Sequence, residues 1–459
     1  MSEESEAQGV RDEDGDMRPA FVHAVIAAIA AEDAKAARKL TRRLHEADLA
    51  DLIALLASDD RVKLVRLLGR NFDIEALPEL DEAVRDDLME ALPNEVIAAA
   101  IRRLDTDDAL YLIENLDEVD RQEILGKLPK VEREALKRAL DYPEGAAGRL
   151  MKTDFVAIPA FWSVGQTIDH MRDTEDLPDE FVEIYIVDPA FHLTGSVPLS
   201  RILRSRRETA ISQLMETDHT VFKVTDEQEE VAYKFAQYDL VSAAVTDADG
   251  RLVGMLMVDD IVEVMHEEAQ EDMLRLGGVG DEEITDTVWS TTRSRFSWLL
   301  LNLATAVLAS WVISWFDASI DQMVALAILM PIVASMGGNA GTQTMTVAVR
   351  ALATRDLGPV NAVRVVVRET AVGVINGLLF AMLMGAFAWW WFGLGGLGLV
   401  IAAAMVINLV AAALAGILVP LALDALGIDP AVASAVFVTT VTDVMGFFAF
   451  LGLAALWLL

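Results

Sequence analysis

Residues 430–458 read PAVASAVFVTTVTDVMGFFAFLGLAALWL, an apolar run interrupted by a single carboxylate, Asp443. About 20 helical residues cross the hydrocarbon of a bilayer, so this run is long enough to span one. Asp443 lies thirteen residues past Pro430, which is about 20 Å along a helix and hence near mid-membrane. A charge at that depth is costly unless it meets water, a cation or a partner, and so it marks an ion path. The competing reading is a protonated acid bonded to a neighbouring helix. Ser434, Thr439, Thr440 and Thr442 add hydroxyls to the same helix, and Gly446 permits close packing.

Four more apolar stretches precede it, at roughly 296–315, 322–349, 362–392 and 398–423, which makes five spans. The second contains PIVASMGGNAGTQ at 331–343. Proline and glycines at that depth predict a loosened helix whose freed carbonyls survive only beside protein or a wet cavity. Gly338, Asn339 and Gly341, with Thr439 and Thr442, are therefore candidates to line a pore. The same small residues also suit tight helix packing, the role expected of Gly373 and Gly377. Asn302, Asn376 and Asn408 fit either role.

All basic residues beyond Thr292 are arginines: Arg293, Arg295, Arg350, Arg355, Arg364 and Arg368. They flank one side of the spans, whereas the loops 317–321 and 392–398 hold none. The positive-inside rule places the N-terminal bulk in the cytoplasm and the C-terminus outside a cytoplasmic (inner) membrane. Seven acids oppose those six arginines, so nearly all of the formal charge of −35 falls before residue 293. An acidic surface repels nucleic acid and anionic lipid and suits cations. With no cysteine, thiolate metal sites and cysteine catalysis are excluded. No nucleophile and base stand at a recognisable spacing, no glycine loop opens a helix and no zinc motif occurs, so no enzyme is expected.

The soluble part divides by pattern. Residues 1–20 are polar and acidic and predict a disordered tail. From 21 to 142 a leucine recurs every twelve residues, at Leu44, Leu56, Leu68, Leu80, Leu92, Leu104, Leu116, Leu128 and Leu140. Twelve residues make one short helix and its turn, so the region predicts a small α-helical solenoid. A second repeat follows, in which Leu150-Met151-Lys152-Thr153-Asp154 is echoed by Leu214-Met215-Glu216-Thr217-Asp218. Each half reads as strand, helix, strand, turn, strand and helix, and looks like a tandem pair of α/β CBS modules at 143–206 and 207–256. Residues 257–289 read as an acidic connecting helix, with seven carboxylates between Asp259 and Asp272 and no Lys or Arg from Leu252 to Leu274. Such a face requires cations, basic neighbours or much water. The pore domain occupies 290–459.

Five motifs now converge. They are Tyr142-Pro143-Glu144 to Met151, Asp226-Glu227-Gln228-Glu229-Glu230-Val231-Ala232 to Leu240, Asp259-Asp260, Gly337-Gly338-Asn339-Ala340-Gly341, and Asp429-Pro430-Ala431 leading to Thr439-Thr440-Val441-Thr442-Asp443. Together, over about residues 40–459, they resemble the MgtE magnesium channel family. The resemblance implies a multidomain membrane protein acting as a homodimer, with helical domain, CBS pair, plug helix and five-helix pore, that admits Mg2+ and closes when internal Mg2+ is plentiful. It implies Asp443 as the pore aspartate. It implies Glu227, Glu229, Asp239, Asp260, Glu263, Glu268, Glu271 and Asp272 as regulatory magnesium ligands, with Asp107 and Asp108 their counterparts in the helical domain. The sequence departs from the CBS nucleotide pattern, since Pro198, Arg201 and Met257 replace the expected hydroxyl and acidic groups, so ATP binding is doubtful. A divalent-cation exchanger (Mg2+, Co2+ or Ni2+) would share the midplane carboxylate, and a membrane metal sensor would tolerate its loss.

Overall fold

The computed structural model describes residues 10–458 except 115, 175, 176, 179, 281–287 and 359. They form two compact units, Met1–His266 and Glu267–Leu459.

The first unit begins with short helices: α1 (Pro19–Ala30), α2 (Ala34–Thr41), α3 (Glu46–Ala54), α4 (Ser58–Leu68), α5 (Glu82–Ala91), α6 (Asn94–Ile101), α7 (Thr106–Ile113), α8 (Glu118–Lys127) and α9 (Lys130–Leu140). All nine leucines of the twelve-residue series belong to or pack against one core. They fall at the ends of the short helices, where each turn folds back on its neighbour, so the periodicity is that of a helix plus its turn. The tail is more ordered than its composition predicts. Residues 1–9 lie outside the described part, but Arg11 pairs across a turn with Met17 and its guanidinium reaches Asp48 and Asp51 of α3. Asp12 accepts the amides of Asp14 and Asp16, and Gly15 takes a positive φ, which closes the turn.

The CBS pair follows, with α10 (Ala147–Leu150), β1 (Ala157–Pro159), α11 (Val164–Asp173), β2 (Glu183–Val187), β3 (Leu193–Pro198) and α12 (Leu199–Arg204), then β4 (Val221–Lys223), α13 (Gln228–Tyr238), β5 (Ser242–Thr246) and β6 (Leu252–Met257). In each half the first strand runs parallel and the third antiparallel to the second. The segment leading into each half lies on the other strand ladder: Lys152 bridges Met255 and Glu216 bridges Ser196. Glycine is required at the crossing, because a Cβ on Gly254 would stand 2.9 Å from the Lys152 carbonyl and one on Gly195 2.6 Å from that of Glu216.

Helix α14 (Val258–Leu276) leaves β6 directly. It ends at Gly277-Gly278, where Gly278 takes a positive φ, earlier than the 289 expected from sequence. Residues 281–287 lie outside the described part, and 288–289 already belong to the next helix.

The second unit holds α15 (Val288–Ser314), the short α16 (Asp317–Gln322), α17 (Ala325–Ala353), α18 (Ala362–Phe392), α19 (Gly395–Ala425) and α20 (Pro430–Trp457). Five of these are long and apolar enough to cross a membrane. Helix α19 is central, with 56% of its apolar window buried against 11% for α15. Small residues bring its backbone close to its neighbours: Cβ atoms on Gly373, Gly385 and Gly416 would stand within 3.0 Å of atoms across the α18–α19 and α17–α19 seams.

The expected break in the second span is absent. Helix α17 runs unbroken through Pro331 and the glycines. Those glycines clear room for Asn408 of α19, whose Nδ2 donates to the Val333 carbonyl at 2.8 Å and would be 2.2 Å from a Cβ on Gly337. Asn408 is therefore a cross-link between helices, buried to 0% exposure. Asn302 and Asn376 are exposed.

Candidate ion path and regulatory acids

Asp443 sits on α20, opened by a strong N-terminal signal. Asp429 accepts the Ala431 amide at 2.8 Å through Oδ1, and Pro430 takes the first helical position, where its missing N–H costs nothing. The Asp443 side chain is half-buried and makes no ion pair or hydrogen bond with the described residues. Around it the pore-lining candidates separate. Thr442 is fully buried and bonds back to the Thr439 carbonyl, Gly341 packs against Val438 and Thr442, and Gly338 lies toward Thr442. Gly341 and Thr442 thus close a helix seam, whereas Asn339 and Thr439 are exposed.

The regulatory candidates fall into three places. Glu227, Glu229 and Asp239 bracket α13 and are exposed; Glu227 is its N-cap, and Asp239 ends it in the left-handed region at φ 52. The second place gathers Asp105, Asp107 and Asp108 at the start of α7 with Asp259 and Asp260 at the start of α14. Lys152 lies among them, its Nζ 3.1 Å from Asp105, 3.3 Å from Asp260 and 3.9 Å from Asp259. Burial opposes the lysine charge, but Asp107, Asp260 and Asp105 outweigh it and hold its pKa well above the ordinary lysine range. The carboxyls also shift upward. Burial raises Asp107, with Asp260 adding repulsion, and burial pushes Asp108 and Asp260 up to about 6. Partners in a simple ion pair would shift in opposite directions; here burial outweighs the shared ammonium for each carboxyl, and neighbouring acids add repulsion. Asp107 Oδ1 and Asp260 Oδ2 are buried without a hydrogen-bond partner among the described residues. Glu263, a turn further along α14, adds its field to Asp108.

The third place lies at the foot of the membrane unit. Arg275, near the end of α14, pairs with Glu271 on its own helix and with Asp429 at 2.6 Å. Asp429 thus caps α20 with one oxygen and holds α14 with the other. Leu276 packs beside Met345, Val349, Ala431 and Val438 of α17 and α20. Asp272 is raised by burial, then by Asp429 and Glu268. No three His, Asp or Glu among the described residues are arranged as a ready metal cage. Lys152 and Arg275 are the basic neighbours that the acidic helix required. Lys152 escaped the sequence reading because it lies more than a hundred residues before α14, although its place in the repeat, opposite Glu216, was a signal.

Comparison with known proteins fixes the family. Residues 330–453 match a family model described as MgtE, divalent cation transporter; residues 44–145 match the MgtE intracellular N domain and 211–267 the CBS domain. A magnesium transporter MgtE of Thermus thermophilus is 30% identical over 93% of this chain and 96% of its own length. Another, of Enterococcus faecalis, is 32% identical over 71% and 72%. The chain belongs to the MgtE family. As a family member it is a multi-pass membrane protein that transports magnesium, with the CBS and N-terminal cytosolic modules expected from its sequence. A solved structure titled as the cytosolic domain of the Mg2+ channel MgtE in complex with ATP is 26% identical, covering 53% of this chain and 99% of that one at a TM-score of 0.49.

Proposed function

We propose that this MgtE chain forms a homodimeric magnesium-selective channel of the cytoplasmic membrane, importing Mg2+ and shutting when cytoplasmic Mg2+ is high. The observation that carries it is Asp443: a carboxylate in the middle of a spanning helix, half-buried and unengaged by the described protein groups. One such acid from each of two copies would attract a hydrated cation without stripping it, which lets the ion leave as well as enter. The exposed Asn339 and Thr439 then serve as pore-lining groups, with Gly338 beside them, while Gly341 and Thr442 shape the seam behind. The N-terminus is cytoplasmic and the C-terminus outside, in keeping with the arginines.

Closure follows from the acids. Mg2+ prefers oxygen ligands and retains much of its water, so it would bridge Asp107, Asp108, Asp260 and Glu263 within the cytosolic unit. It would likewise bridge Glu268, Glu271 and Asp272 at the foot of the pore, with Glu227, Glu229 and Asp239 completing the sensor. Each bridge lowers the repulsion that opposes packing, and the end of α14 already rests against α17 and α20. ATP is held weakly at best, because the positions at which CBS modules place an acid for nucleotide are occupied by Arg201, paired with Glu216, and by Asp260, paired with Lys152. Calorimetry of the full chain should show no tight ATP isotherm.

Flux into proteoliposomes containing a magnesium-sensitive dye tests the reading. Uptake should follow the Mg2+ gradient alone and fall as Mg2+ on the cytoplasmic face rises. Uptake that requires a proton or sodium gradient would make the protein an exchanger instead.

A further inference from the structure

Lys152 stands inside the acid cluster, and the two internal repeats show what its partners give up to reach it. In the twelve-residue helical repeat, Asp105 and Asp117 occupy equivalent N-cap positions. Asp117 caps α8 by accepting the amides of Val119 and Asp120 at 2.9 Å. Asp105 makes no such bond to α7 and instead points its carboxylate at Lys152, 3.1 Å away. An N-cap bond is a stabilising interaction that this acid forgoes.

The CBS repeat gives the second comparison. Lys152 and Asp260 correspond to Glu216 and Arg201 of the other half. Both couples form ion pairs, Lys152 with Asp260 and Arg201 with Glu216, with the charges exchanged. The pair is a fixture of the module, while the acids of α7 are gathered around only one of the two copies. Lys152 is also fixed from behind, because its amide and carbonyl both bond Met255 at 2.9 Å. Its side chain is 16% exposed. The ammonium therefore belongs to the CBS pair, and Asp105, Asp107 and Asp108 come to it from the helical domain. Thr106 and Thr153 touch at 2.6 Å in the same contact.

We propose that Lys152 is a resident counter-ion that docks the helical domain on the CBS pair in the absence of divalent cation, so that Mg2+ adds to this docking and does not create it. The inference rests on reading Asp107, Asp108 and Asp260 as regulatory acids. It changes what regulation means: a built-in positive charge sets a basal level of docking, and the buried Asp107 Oδ1 and Asp260 Oδ2 remain for the ion.

The chain contains no cysteine, so contact can be read by chemistry. Thr106→Cys and Thr153→Cys are introduced together into the full chain in lipid nanodiscs, and the rate of crosslinking by a short bismaleimide is followed in chelator, in magnesium and in sodium at equal ionic strength. With Lys152 present, crosslinking in chelator should stay within about threefold of the magnesium rate, whereas Lys152→Met should slow it at least about tenfold, as when one partner of a buried charge contact is removed. Lys152→Arg, which keeps the charge, should restore the parent rate and so separate loss of charge from misfolding. Parental crosslinking of Lys152→Met in chelator would overturn the proposal, as would failure of Lys152→Arg to rescue. The magnesium arm reads the regulatory function separately: if Mg2+ accelerates no variant beyond sodium, the cluster is not a divalent site, whatever the lysine does.

Discussion

Asp443 and Asn408 are the two polar side chains on which the membrane half turns, and their environments assign them opposite work. Asn408 is fully buried and spends its amide on the Val333 carbonyl, 75 residues away along the chain. Asp443 is half-buried and engaged by no described group. Asp443→Asn preserves shape and removes the charge, so the protein should insert normally while magnesium uptake falls at least about tenfold, given what a mid-membrane charge means for a cation. Wild-type uptake by a correctly inserted Asp443→Asn protein would remove this residue from the ion path. Gly337→Ala tests the other role. The new methyl would meet Asn408 at 2.2 Å, and Gly446 on the far side shows how little space that amide has, since a Cβ there would stand 2.8 Å from the same nitrogen. Overpacking of this kind costs about 1–3 kcal/mol, visible as a lower melting temperature in detergent; unchanged melting would mean that the α17–α19 seam gives way easily. The sequence displayed these glycines plainly, but not their use. Whether GGNAG breaks a helix or seats one depends on Asn408, which nothing in the motif itself specifies.

At the scale of elements, the legible features were those with a period or a length. The twelve-residue leucines became the solenoid core, five apolar runs became five spanning helices, and the echoed strand pattern became two like modules. Features that depend on pairings distant in sequence were hidden: the ordering of residues 10–18 by Arg11, the cation supplied by Lys152 and the hold of Arg275 on Asp429. Helix α14 illustrates the difference. Its acidic face was evident, whereas its end at Leu276 and its rest against Met345, Val349, Ala431 and Val438 were not. The pairing suggests a separation of functions at Asp429. Asp429→Asn retains an N-cap acceptor but loses the ion pair, and Arg275→Met loses the same pair from the other side. A partly exposed ion pair is worth about 1 kcal/mol at most, or roughly fivefold in the ratio of closed to open. Both variants should therefore need several-fold more cytoplasmic Mg2+ to shut, with open-state uptake unaltered. If Asp429→Asn closes as the wild type does, Arg275 is a surface contact without a part in the gate.

For the molecule as a whole, the formal charge of −35 has two physical accounts, and they differ in how they treat the cation. A solvated acidic coat is relieved by ionic strength, so sodium and magnesium at equal ionic strength should act alike. A sensor built from carboxylates that are held close is relieved by bridging, which a divalent ion with a strong demand for oxygen ligands performs and sodium does not. Burial raises Asp107, Asp108, Asp260 and Asp272, and neighbouring acids add repulsion at each; carboxylates held close and partly dehydrated at defined contacts favour the second account. In the full chain, protease resistance should rise with magnesium through about the millimolar range, the order expected for carboxylate sites that leave water on the ion, and rise little with matched sodium. A chain neutralised together at Asp239, Asp260, Glu263, Glu268, Glu271 and Asp272 should lose that difference, because repulsion and bridging disappear at once. It should also continue to conduct at internal magnesium that shuts the wild type, since a ligand shifts an equilibrium only by its preference for one state and the preference has been removed. Equal protection of the wild type by the two salts would reduce the acids to a coat and leave the closing of the pore without its ion.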